Sequence, residues 1–238
     1  MFPILRTSRD ILLDILFPPL CLLCEATLSQ TEKRALLCTR CVSSVSLHAT
    51  LFCSQCRARL PDNRKTCHKD TRYILAAATN YHESRIQELI WQLKYAKRIA
   101  AAVPLAHLVA RYCTALSLDL TSYSFFPMPL HPSRERARGF NQSELIAELV
   151  SENLHLPFIR NAFQRTRKTL PQAELPRYEH RLQNVAECFS VRKPDLVRDK
   201  NIIVLDDVST SGATMTEAVG GLKSAGAKRV IGLVVAKT

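Results

Sequence analysis

Residues 202–214 read IIVLDDVSTSGAT: an aliphatic run, two adjacent aspartates, then six consecutive small or hydroxylated residues from Ser209 to Thr214. The aliphatic run fits a buried strand. A loop with almost no side-chain bulk after it suits a chain that must come close to a ligand while turning into a helix. These few residues commit the region to a strand–loop–helix unit, the repeating element of α/β sheets.

The surrounding pattern agrees. YILAAATNY (73–81) reads as a strand, and SRIQELIWQLKYAKR repeats apolar residues at Ile86, Leu89, Ile90 and Leu93 with the helical period. A second helix is expected through LAHLVARYCTAL, then a strand FFPMPL (125–130) leading into HPSRERARGFNQ. Gln142 to Asn153 reads as a helix with Leu145, Ile146, Leu149 and Val150 inward. Strands NIIVLDD and RVIGLVVA bracket a helix over about residues 213–225, for which Gly226 is the C-cap. Alternating strands and helices predict a mostly parallel sheet covered on both faces, with its ligand beyond the carboxyl ends of the strands. HPSRERARGFNQ and DDVSTSGAT then share one edge.

A helix N-terminus behind a small-residue loop offers N–H groups, hydroxyls and a positive dipole end to an anion. Val208 to Thr214 suits a single phosphate, with Ser209, Thr210, Ser211 and Thr214 as hydroxyl donors, Gly212 allowing close approach and Ala213 opening the helix. Asp206 and Asp207 would then face the attached sugar, where paired carboxylates accept from two vicinal ribose hydroxyls. A plain strand-to-helix turn with an aspartate cap accounts for either half alone but not for both in this order. GLKSAGAKR (221–229) is not a triphosphate loop: an alanine separates Gly226 from Lys228, no Ser or Thr follows the lysine, and the segment follows a helix instead of preceding one.

Seven of the nine cysteines lie between residues 21 and 67, as Cys21-x-x-Cys24, Cys38-x-x-Cys41, Cys53-x-x-Cys56 and Cys67-His68. Paired C-x-x-C turns supply the four sulfurs that tetrahedral Zn2+ prefers. A disulfide framework expects a secretory signal, and MFPILRTSRDILLDILFPPL does not provide one: Asp14 interrupts the apolar run and Pro18–Pro19 end it. That segment is read as an amphipathic helix with Ile11, Leu12, Ile15 and Leu16 buried. Cys21, Cys24, Cys38 and Cys41 form the cleaner set. After Cys53, Cys56 and Cys67, either Asp70 or His68 is able to complete a second site, the knuckles are able to pair in crossed order, or the second site is empty. So small a segment needs its metal to fold, so the role is structural. Its Arg57, Arg59, Arg64, Lys65 and Lys69 suit nucleic acid, and protein docking is an equal alternative.

An excess of 33 Lys and Arg over 21 Asp and Glu gives a net charge of +12, which favours polyanionic partners. No segment approaches 18 uninterrupted apolar residues, so a cytoplasmic chain without a membrane span is expected. The expected division is residues 1–70 for the helix and cysteine-rich ribbon and 71–238 for the α/β domain.

IIVLDDVSTSGAT resembles the 5-phosphoribosyl-1-pyrophosphate (PRPP) binding motif of type I phosphoribosyltransferases. The wider chain is similar to the ComF family: a cysteine-rich ribbon, Leu93-Lys94-Tyr95 at a helix end, PMPLHPSRERARGFNQ (127–142), RTRKTLPQ (165–172), RLQN (181–184) and the two-aspartate loop, in that order. Asp70 stands where the double ribbon usually carries a cysteine. The resemblance implies a type I phosphoribosyltransferase fold with an appended double zinc ribbon, and a role in using incoming DNA during natural transformation. It also implies single-stranded DNA and a helicase-like competence ATPase as partners. If the chemistry follows the wider family, a nucleophile displaces pyrophosphate from C1 of PRPP with Mg2+ bridging pyrophosphate and ribose oxygens. Arg134, Arg136 and Arg138 then sit where this fold binds pyrophosphate, Arg138 foremost. RTRKTLPQAELPRYEHR, with Pro171 and Pro176, reads as a hood whose Arg165, Arg167, Lys168 and Arg181 reach pyrophosphate, acceptor or DNA phosphate. Lys94 is a further candidate cation or a partner of the helix dipole. His131 is a structural residue or a general base, and Asn141 and Gln142 suit a helix start.

Overall fold

The computed structural model describes residues 14, 16–60, 67–68, 70–169 and 178–238. Ile11, Leu12 and Ile15 of the expected first helix lie outside these residues, as do Arg64, Lys65, Lys69, Pro171, Gln172 and Pro176. Leu16 is described and corrects its assignment to a buried face: it is 61% exposed, because the core begins only at Cys21, beyond the Pro18–Pro19 break.

The ribbon contributes a short helix α1 (Thr39–Ser43) and a hairpin of β1 (Leu51–Cys53) and β2 (Arg59–Leu60). There follow β3 (Ile74–Asn80), α2 (Ser84–Lys94), α3 (Ala102–Ala115), β4 (Tyr123–Pro127), α4 (Pro132–Arg138) and α5 (Gln142–Leu154). The chain closes with β5 (Phe163–Arg165), α6 (Tyr178–Val185), β6 (Phe189–Val191), β7 (Asn201–Ser209), α7 (Ala213–Ser224) and β8 (Arg229–Lys237). The strand expected at 125–130 thus runs 123–127, ending ahead of Pro129, which has no N–H to continue a ladder.

The main sheet has the order β2-β1-β3-β8-β7-β4. Its β3-β8-β7-β4 portion is parallel, as the strand–helix alternation predicts. Along β7 the side chains alternate between the two faces. Ile203 and Leu205 join Leu89, Leu93, Leu105, Tyr112, Ile146 and Val150 from α2, α3 and α5. Ile202 and Val204 join Phe126, Phe163, Val219 and Leu222 on the α7 side. Burial on both faces explains why the strand reads as one aliphatic run. Of the four residues expected inward on α5, Ile146 and Val150 are fully buried, while Leu145 and Leu149 are half-buried.

The sheet crosses residue 70 without interruption. β1 pairs antiparallel with β3, placing Phe52 opposite Leu75 and Cys53 opposite Ile74. Tyr112 Oη donates to Thr50 O at 2.9 Å and Thr79 Oγ1 to Ser46 O at 2.8 Å. Cys21, Leu37, Cys41 and Leu60 share one apolar cluster with α2, α3 and α5. The ribbon therefore borrows the larger core, which a segment of its size could not build for itself.

Candidate functional site

A cavity of about 680 Å3 opens beyond the carboxyl ends of β4 and β7. Asp206 to Thr214 line it together with Arg134, Arg138 and Arg165. Its size suits a small-molecule ligand. The two motifs expected to share an edge do share it.

The two aspartates differ in their surroundings. Asp207 is buried and its Oδ2 meets Lys94 Nζ at 2.5 Å, while its Oδ1 accepts from the Val208 N–H at 2.8 Å. Burial opposes the charge on Lys94, yet the Asp207 carboxylate outweighs it and holds the lysine pKa above its ordinary value. Lys94 thus turns inward from the end of α2 onto Asp207. Asp206 accepts from Ser143 Oγ at 2.8 Å and from the Asp207 N–H at 2.9 Å. Burial and then the neighbouring Asp207 charge push Asp206 up to about 6.

The small-residue loop enters α7 through Gly212, which is left-handed at φ 74° and supplies no side-chain cap. A side chain at that backbone angle would be strained. Ser209 and Ser211 are buried, Ser211 Oγ accepting from Ala213 N at 3.4 Å, while Thr210 and Thr214 are half-buried on the cavity wall. The N-cap Gly212 has no side chain to occupy the first-turn amides of α7, and apart from the long contact of Ala213 N to Ser211 Oγ these amides are open to an anion. Behind the loop, Arg57 of the ribbon donates Nη1 to Thr210 O at 2.9 Å and Nη2 to Ser211 O. Tyr73 Oη lies 3.2 Å from Thr216 Oγ1 on the same side. The ribbon thus braces the loop by its carbonyls, leaving the amides to the cavity. Arg57→Ala is expected to lower stability in urea unfolding by about 2 kcal/mol, with Arg57→Lys recovering only part, because a lysine cannot span both carbonyls as a fork.

The opposite wall is cationic. His131 caps α4, its Nδ1 accepting from Ser133 N at 3.2 Å and lying 2.8 Å from Ser133 Oγ, a structural use of the ring. Arg134 Nη2 donates to Thr169 O at 2.5 Å, and Arg138 Nη1 donates to Gln142 Oε1. Asn141 is the N-cap of α5, accepting from Ser143 N at 3.0 Å, so the capping that orients α5 also brings Ser143 to Asp206. Arg136 is exposed and outside the cavity lining. Arg165 is buried against the Phe189 ring, its guanidinium 5.4 Å from the centroid, with Nη2 donating to Thr169 Oγ1 at 2.5 Å. Its Nε has no partner among the described residues. Arg167 is turned away, donating Nη2 to Ala186 O at 2.5 Å beyond α6. Lys168 is exposed and Arg181 half-buried, and neither lines the cavity.

The cysteines form two clusters. Ligand atoms of Cys21, Cys24, Cys38 and Cys41 all lie within 4.8 Å of one another, as do those of Cys53, Cys56, Cys67 and His68. Cys24 and Cys38 Sγ are 3.6 Å apart, and His68 Nδ1 lies 3.6 Å from Cys53 Sγ. Both donor sets fit tetrahedral structural zinc. The structure places His68, not Asp70, with the second set, and pairs the knuckles in sequential order. Asp70 is exposed outside both clusters.

Four of these contacts carry no local sequence signal: Arg57 on the loop carbonyls, Lys94 on Asp207, Ser143 on Asp206 and Tyr73 beside Thr216. The Leu93-Lys94-Tyr95 pattern marked Lys94 without giving its partner.

Residues 140–238 match the family described as phosphoribosyl transferase domain, and residues 12–70 match the double zinc ribbon domain. The DNA utilization protein YhgH of Escherichia coli O6:H1 is 31% identical over 217 residues, which cover 89% of this chain and 87% of that protein. Competence protein F of Haemophilus influenzae is 30% identical over 109 residues, covering 45% of this chain and 47% of its own. Among solved structures, a glutamine PRPP amidotransferase from B. subtilis complexed with ADP and GMP aligns at 19% identity and a TM-score of 0.36, covering 55% of this chain and 25% of that one. Among the described residues no helix is long and apolar enough to cross a membrane.

Proposed function

The chain belongs to the ComF family, and from that premise we propose that it binds PRPP with Mg2+ in the cavity and single-stranded DNA at its basic surface, as a factor in DNA utilization and uptake. The observation that carries the reading is the juxtaposition in one cavity of Asp206, Asp207, the braced loop 209–214 and, on the opposite wall, Arg134, Arg138 and Arg165. The loop amides take the 5-phosphate, the carboxylate pair takes the ribose hydroxyls, and the arginines take the pyrophosphate. Mg2+ supplies further charge neutralisation to the bound pyrophosphate. The names of the relatives and the net charge of +12 support the DNA partner.

A second reading is transfer of ribose-5-phosphate from PRPP to a base or nucleotide acceptor. Arg165, buried and without a carboxylate partner among the described residues, favours it, because fixed cations on the pyrophosphate side stabilise a leaving group. Pyrophosphate release on addition of an acceptor separates this reading from binding alone.

The test is calorimetric titration with PRPP and Mg2+ of the wild type and the Asp206→Asn/Asp207→Asn variant, with circular dichroism as the folding control. Saturable wild-type binding, weakened about a hundredfold in the variant, is expected from the loss of two charge-assisted contacts. Absence of wild-type binding overturns the reading. The same titration carries a pH signature. With Asp206 at about 6, lowering the pH through 6 protonates it and weakens PRPP binding, by about tenfold at one unit below. Stability without ligand moves the opposite way. A carboxyl raised above its ordinary value of 3.8 costs stability when ionised, so the free protein gains stability as pH falls from about 6 towards 4 through this group.

A further inference from the structure

We propose that Tyr95 and Trp91 form a two-ring stacking platform for bases of single-stranded DNA at the mouth of the ribose-phosphate cavity. The inference rests on the DNA-binding reading above and assigns that binding a place and a contact.

Helix α2 buries Ile86, Leu89, Ile90 and Leu93, as its period dictates. Trp91, the protein's single tryptophan, is nevertheless 54% exposed, and Tyr95 is 68% exposed just past the helix end. Residues four apart on a helix stand one above the other, with Cβ atoms about 5–6 Å apart, so the two rings occupy neighbouring positions along one edge. Tyr95 also lines the cavity and Trp91 does not, so the platform leads from the cavity mouth outward.

The rim is charged, which distinguishes it from a face awaiting an apolar partner. Lys97 and Arg98 follow Tyr95 and are both exposed. Lys97 Nζ donates to Ala137 O at 3.2 Å, fixing this segment beside α4 and its Arg136 and Arg138. Arg98 Nη1 donates to Gln92 Oε1 at 3.3 Å. The nearby acid Glu88 accepts from Gln92 Nε2. Among the described residues the ion pairs engage Lys33, Lys94 and Arg160, so Lys97, Arg98, Arg136 and Arg138 carry charge with no carboxylate at ion-pair distance. Exposed aromatic rings set among uncompensated cations suit a polyanion with flat bases: cations hold the backbone, and rings take bases without regard to sequence. A strand seated this way brings a nucleotide at Tyr95 over the site where the ribose phosphate binds.

The zinc-loaded full chain would be titrated with a short fluorescent oligo-dT, and with an abasic oligonucleotide of equal length. Wild-type tryptophan emission is expected to be quenched by oligo-dT and unchanged by the abasic strand. Trp91→Ala and Tyr95→Ala are each expected to weaken oligo-dT binding about tenfold, from the loss of one base stack. Tyr95→Phe is expected to retain affinity. Arg136→Gln should instead flatten the salt dependence. Undiminished affinity in the Trp91→Ala/Tyr95→Ala double variant overturns the platform while leaving DNA binding intact, and would assign this face to a protein contact. Failure of the wild type to bind oligo-dT overturns the DNA reading together with the platform, whereas the PRPP titration stands independently of both.

Discussion

Removal of metal by a chelator is expected to unfold the segment from Cys21 to His68 and to loosen the cavity with it. Each cluster gathers four donors within 4.8 Å, seven thiols and one imidazole between them, and Cys21, Cys38, Cys41 and Cys53 belong to the apolar cluster shared with the main domain. Structural zinc contributes on the order of 10 kcal/mol or more per site to such a segment, more than its small core replaces. Without metal the cysteines take up protons as neutral thiols, and the knuckle turns have nothing to close them. The effect then travels: β1 loses its register on β3, and Arg57, which follows Cys56 directly, leaves the carbonyls of Thr210 and Ser211. Hydrogen exchange before and after chelation reads this out. Protection should fall first in β1, β2 and residues 209–212, with β7 and β8 retained. Unchanged protection of β1 and the loop after complete metal removal would show that the ribbon holds its fold without zinc.

Lys94→Met is expected to cost about 3–5 kcal/mol in urea unfolding, because it leaves the buried Asp207 carboxylate without its counter-ion. Both members of the native pair line the cavity, where burial by itself works against the charge on Lys94. Adding Asp207→Asn to Lys94→Met removes the orphaned charge and is expected to restore most of the stability, while leaving PRPP affinity low. A surface lysine serving only the helix dipole would cost less than about 1 kcal/mol and show no coupling to Asp207. The double-mutant cycle therefore separates a buried counter-ion from a dipole partner.

The elements were legible because their signals are local. The aliphatic run of β7, the bulk-free loop after it, the Asn141 cap and the left-handed Gly226 past α7 each depend on neighbours within a few residues. The first cysteine cluster was legible for the same reason, since C-x-x-C turns impose their own geometry. The second was not: both His68 and Asp70 suited the spacing, and the choice depends on how the chain turns after Cys67.

Local sequence signals specified the α/β alternation, the edge where the cavity opens, the aspartate pair with its small-residue loop, and a cysteine-rich appendage. Periodicity and backbone permissiveness are properties of short windows. Only the tertiary structure decided what surrounds those parts: the ribbon hairpin as an extension of the sheet, Arg57 across 153 positions onto Thr210, Lys94 inward onto Asp207, and Ser143 onto Asp206. Charge and hydrogen-bonding capacity carry no address in a sequence. A lysine at a helix end, or an arginine after a metal knuckle, acquires its partner only when packing brings distant segments to within a hydrogen bond of one another.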